Sequence, residues 1–141
     1  MRTKILLTIL LLLSLFLVIH GGAVSGDMPR EFKEAKDIAM TAPADSDGDH
    51  IVIAIRIDKK SGKKVAYGVG YFLKDNTVIG VIVSGDRAIS VIYFEDTDNY
   101  MVETGSAITG QRYSLKEVTK ENAILIMRNI LKHLSYNEIL Q

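Results

Sequence analysis

Residues 50–58 alternate without a break. Ile51, Ile53, Ile55 and Ile57 fall on one side of the chain, and Val52, Ala54, Arg56 and Asp58 on the other. Successive side chains of a strand point to opposite faces, so this period of two specifies a strand and rules out a helix. Four further strand-like segments follow closely, at residues 65–74, 77–84, 88–95 and 100–104. They are separated by a Lys-Ser-Gly turn at 59–64, by Asp75-Asn76, by Gly85-Asp86 and by residues 96–99. Connections this short join neighbours running in opposite directions. The pattern therefore predicts a five-stranded antiparallel meander.

Helical spacing flanks it on both sides. Asp27 can cap a short helix with Pro29 in its first turn, placing Phe32, Ala35, Ile38 and Ala39 on one face. After a linker at 105–113, Ser114-Leu115-Lys116-Glu117 reads as a capping box. The helix it opens runs through Val118, Ala123, Ile126, Met127, Ile130, Leu131 and Leu134, with a break near Thr119. The expected fold class is α+β: the meander, a short N-terminal helix, and a longer C-terminal helix packed on one face.

Arg2 and Lys4 precede an apolar run from Ile5 to Ile19, which ends at His20-Gly21-Gly22 and passes into small residues. A basic start, a Leu-rich centre and a small-residue exit form the pattern of a secretory signal peptide over residues 1–23. An uncleaved membrane anchor is the alternative, although spanning needs about 20 apolar residues. The remainder reads as one globular domain, in which residues 24–49 supply the short helix and an Asp-rich loop and residues 50–141 the sheet and C-terminal helix. Cleavage removes two bases and no acid, leaving 15 basic residues against 17 acidic ones. The expected localisation is the cell envelope or the exterior.

Turn lengths set which residues sit opposite one another, and opposite residues share a face. Two-residue turns at Ser61-Gly62, Asp75-Asn76 and Gly85-Asp86 place Ile53 opposite Gly70, Phe72 opposite Ile79 and Ile79 opposite Ile92. One face then carries the four isoleucines of the first strand with Phe72, Ile79, Val81, Val83, Ile92 and Phe94. Gly68, Gly70, Ala88 and Ser90 lie among them as a bed for the C-terminal helix. The other face gathers Tyr67, Tyr71, Tyr93 and Tyr100 with several aliphatic residues and Arg56. An open antiparallel sheet ordinarily shows water a polar second face, and this one is apolar. It needs a cover: the N-terminal helix, a second copy or another protein, or an apolar ligand.

Chemistry-bearing patterns are sparse. With no Cys, the chain has no disulfide, thiolate metal site or Cys nucleophile. Its 17 basic and 17 acidic residues cancel, which removes the electrostatic case for nucleic acid. Asp45-Ser46-Asp47-Gly48-Asp49 has the alternating oxygens of a calcium loop. Its register departs from the helix–loop–helix pattern, since Pro43 falls at the first ligand position and Ala54 at the bidentate one. A solvated Asp-rich turn accounts for the same residues. His50 beside Asp49 offers an acid–base pair without a partnered nucleophile. Lys59, Lys60, Lys63 and Lys64 form a basic hairpin tip. Ile38-Ala39-Met40-Thr41-Ala42-Pro43 resembles a stretch of the SOUL family of haem-binding proteins over six residues. Ala44 stands where that family usually has Val, the rest of the chain does not follow it, and no haem site is carried across.

These readings point to an exported, non-catalytic binding or accessory domain. Its binding residues would be Tyr67, Tyr71, Tyr93, Tyr100 and Arg56, and it would meet a protein partner, a second copy or an apolar ligand. The alternative is a small exported hydrolase using the 45–50 loop, with Asp45, Asp47 and Asp49 holding calcium. No residue is assigned as catalytic.

Overall fold

The computed structural model describes residues 27–134. The signal-peptide and anchor readings fall on residues outside this range. Helix α1 (Arg30–Met40) comes first, followed by β1 (Asp49–Ile57), β2 (Lys64–Phe72), β3 (Thr77–Ser84), β4 (Arg87–Phe94), β5 (Asn99–Ser106), β6 (Arg112–Glu117) and α2 (Lys120–Leu134). The strands pair antiparallel in the order β1-β2-β3-β4-β5-β6. The α+β class, the antiparallel meander and the two helices agree with the sequence, but the sheet has six strands rather than five.

The extra strand occupies the residues with the capping-box pattern. Ser114 lies opposite Thr104, and their hydroxyls are 2.6 Å apart, so the Ser side chain is spent across the ladder. A bulge between Thr104 and Gly105 lets the chain turn back into β6. Helix α2 begins five residues later than the box implies. There Thr119 Oγ1 accepts the Asn122 N–H at 3.2 Å and the Thr119 carbonyl accepts the Ala123 N–H at 3.0 Å, the bonds of an N-cap. Asp27 plays no such role for α1, whose N-cap is Pro29 without a side-chain cap. The Pro29 carbonyl accepts the N–H groups of Phe32 and Lys33 instead.

Both helices lie on the tyrosine face, which corrects the expectation that α2 beds on the isoleucines. Phe32, Ala35 and Ala39 of α1 and Ala123, Met127 and Ile130 of α2 are fully buried in one cluster with Val69, Val78, Val91 and the tyrosines. Gly80 explains the choice. It sits mid-sheet on this face, and a Cβ there would meet Ile130 Cδ1 at 2.8 Å and Met127 Sδ at 2.9 Å. The absent side chain is the space the helix fills. Gly68 and Gly70 do not serve that purpose on the other face. Added Cβ atoms there would meet Val81 and Ile53 at 3.2 and 3.3 Å, and Ile79 at 3.0 Å, so neighbouring strands already occupy the gap. Those neighbours belong to a second cluster with Phe72, Ala88, Ile92, Phe94, Met101 and Ala107.

Registers at the first two hairpins are offset by two residues from those that two-residue loops would give, because the loops are longer. Ile53 lies opposite Gly68, and Gly70 opposite Ile79. The third hairpin pairs Ile79 with Ile92 as expected. A two-residue slip preserves the period of two, so every side chain stays on its assigned face.

Candidate functional site

The tyrosines meet helix rather than solvent. Tyr71, Tyr93 and Tyr100 are 4%, 1% and 5% exposed, respectively. The Phe32 ring lies 5.6 Å from those of Tyr93 and Tyr100, which stack on each other at 4.8 Å. The Tyr93 hydroxyl donates to Asp98 Oδ1 at 2.9 Å, and burial together with that carboxylate holds its pKa far above the ordinary value. Burial likewise pushes Tyr100 up to about 12. The Lys36 ammonium sits 4.3 Å over the Tyr71 ring and pairs with Glu95 at 3.0 Å. Burial opposes the charge on Lys36, but the bonds to Glu95 and Tyr71 outweigh it and leave the pKa raised. Tyr67 stacks on His133 at 4.0 Å, and Arg56 donates from Nε and Nη2 to the His133 carbonyl at 2.9 and 2.7 Å. Arg56 thereby satisfies a free carbonyl at the end of α2. The face proposed from sequence for binding is the seam that fastens the two helices to the sheet.

The acidic loop does converge. Ligand oxygens of Asp45, Asp47 and Asp49 lie within 4.8 Å of one another. Asp45 Oδ1 accepts the N–H groups of Asp47 and Asp49, both at 2.9 Å, which folds the loop around that carboxylate. Burial, then the charges of Asp45, Asp47 and Asp75, push Asp49 up to about 6. His50 Nδ1 bonds the Ala42 carbonyl at 2.7 Å, and the His50 charge works against the elevation of Asp49. Ligating through one oxygen each, three carboxylates fall short of the six to eight oxygens that calcium takes, so water or carbonyls would complete the shell.

A second polar group escaped the sequence reading. Glu103 is 1% exposed on the isoleucine face, where Arg112 Nε donates to its Oε2 at 3.1 Å. Its other oxygen and the Oγ of Ser90, directly opposite on β4, lack hydrogen-bond partners among the described residues. Burial pushes Glu103 up to about 7 against the pull of Arg112. The Arg112 side chain is 31% exposed, so water screens the charge that would otherwise lower it. The signal was present in the sequence: continuing the face assignment of Ser90 across β5 reaches Glu103.

The sheet also has edges. β1 is the first strand in the sheet order, nine residues long, free of Pro and paired on one side only among the described residues. Loop bonds reach only its first two residues among the described ones: the Asp49 carbonyl and N–H bond Asp45, and the His50 ring bonds the Ala42 carbonyl. Residues 50–56 are half-buried and Ile57 is 64% exposed. Its two ends differ in charge. It starts at Asp45, Asp47 and Asp49, near Asp75, and finishes at the exposed Lys59, Lys60, Lys63 and Lys64. Neither a protein-family model, nor a curated protein, nor a solved structure matches the chain.

Proposed function

We propose that the chain is an exported, non-catalytic binding module whose docking surface is the open edge of β1. The tyrosines and Arg56 serve it by anchoring the helices behind the sheet. One observation carries this reading: β1 presents a long, regular, isoleucine-rich edge without the Pro, bulge or central Lys by which edge strands normally avoid pairing. Such an edge accepts an extended segment through main-chain hydrogen bonds, with alternate side chains giving specificity.

The test uses a fluorescein-labelled nonapeptide of alternating Ile and Thr as a generic strand, followed by anisotropy. Saturable binding is expected, with loss in Ile55→Lys, a variant whose thermal unfolding checks that the fold persists. Absence of saturable binding to the folded protein would overturn the reading.

A small hydrolase built on the 45–50 loop is the second reading. It is favoured by the elevated pKa of Asp49 amid its neighbouring acids. Calcium-dependent cleavage of a nitrophenyl ester or phosphoester, abolished in Asp49→Asn, would support it over the first.

A further inference from the structure

The geometry points to a second copy of this chain as the strand that β1 receives, in a two-fold, antiparallel β1–β1 contact; this inference rests on the edge-docking reading above. Charge complementarity selects both the partner and its direction. The strand leaves the acidic residues Asp45, Asp47 and Asp49 and arrives at the basic residues Lys59, Lys60, Lys63 and Lys64, with Asp45, Asp47 and all four lysines exposed. Antiparallel pairing with itself lays the acidic end of each copy beside the basic end of the other. Parallel pairing would set acid against acid and base against base.

Side-chain period restricts the register. The isoleucines at 51, 53, 55 and 57 share one face, so the two copies keep a common apolar face only when odd-numbered residues oppose odd-numbered ones. Centring the two-fold on Ile53 satisfies this. It sets Ile51 opposite Ile55, His50 opposite Arg56, and brings Asp47 alongside Lys59. Because the contact is isologous, each charge pairing occurs twice. The two sheets then become one of twelve strands, and an edge that would otherwise template indiscriminate pairing is closed.

Sedimentation of the protein recovered from expression of the full chain tests this over a range of concentration and salt. A monomer–dimer equilibrium is expected, weakening several-fold as NaCl rises from 50 to 500 mM because the paired charges are at the surface. Asp47→Lys or Lys59→Asp alone should each weaken the dimer roughly tenfold, and the two together in one chain should restore it. Both positions are exposed, so the fold is expected to persist, checked by unchanged thermal unfolding. A dimer indifferent to salt and to both variants would place self-association elsewhere and overturn the inference. A monomer at all concentrations would overturn it too. If that monomer still binds the Ile–Thr peptide, the edge-docking reading survives with a strand from another protein as its occupant; if it binds neither, both readings fall.

Discussion

Replacing Glu103 with Gln should remove a large share of this protein's pH dependence. The folded carboxyl lies near 7 against an ordinary value of 4.5, chiefly through burial. A carboxyl raised on folding binds its proton more tightly in the native than in the unfolded chain. Its contribution is therefore fullest below about 4.5 and is lost as pH rises through about 7. At 1.36 kcal/mol for each tenfold change in proton affinity, the loss between pH 5 and pH 8 comes to about 2–3 kcal/mol. Gln keeps an oxygen for the Arg112 N–H and never ionises. Urea melts at the two pH values should show the natural chain markedly less stable at pH 8. Glu103→Gln should match it at pH 5 and exceed it at pH 8. Asp49, raised to about 6, acts in the same direction, so some slope should persist in the variant. A variant retaining the full natural slope would refute the argument, as would a natural chain more stable at pH 8 than at pH 5.

Three further outcomes follow from the packing and the acidic loop. Gly105→Ala should destabilise more than Gly80→Ala in paired urea melts. The first Cβ meets the Gln111 carbonyl at 2.6 Å, which is backbone at the β5–β6 bulge, while the second meets the yielding tips of Ile130 and Met127; overpacking of the latter kind costs about 1–3 kcal/mol. Phe32→Ala should cost about 3–5 kcal/mol by the same measurement, since a fully buried ring leaves a cavity against Tyr93 and Tyr100. Asp49→Asn should raise stability at pH 8 relative to pH 4, because it removes a carboxylate that ionises beside Asp45, Asp47 and Asp75.

The two faces of the sheet were legible because period two survives an error of two. The loop at 58–63 is closed by Asp58, whose N–H reaches the Lys63 carbonyl and whose carboxylate holds Lys60 N–H and Ser61 Oγ. That is a longer closure than a Ser-Gly turn, and it shifts the register without exchanging the faces. What covers each face was legible only in part: the N-terminal helix was among the covers expected for the tyrosine face, but the C-terminal helix was expected on the other. Gly68, Gly70, Ala88 and Ser90 present the same small surface whether a helix or a cross-strand isoleucine fills it, and only packing separates the cases. Gly80 carried the decisive information as a single residue. Ser114 and Glu117 satisfy the capping box and strand alternation equally, and the Thr104 hydroxyl across the ladder settled it for the strand. The proximity of Asp45, Asp47 and Asp49 was legible in their spacing. The elevation of Asp49 was not, because it depends on burial and on Asp75, 26 positions away in sequence.

We propose that β1 is the edge at which this protein associates. Amide hydrogen exchange of β1, measured from micromolar to near-millimolar protein, tests it most directly. Amides in 50–57 should exchange more slowly as concentration rises, while the β6 edge stays unchanged. Exchange in β1 that is the same at every concentration, with or without the strand peptide, would contradict it.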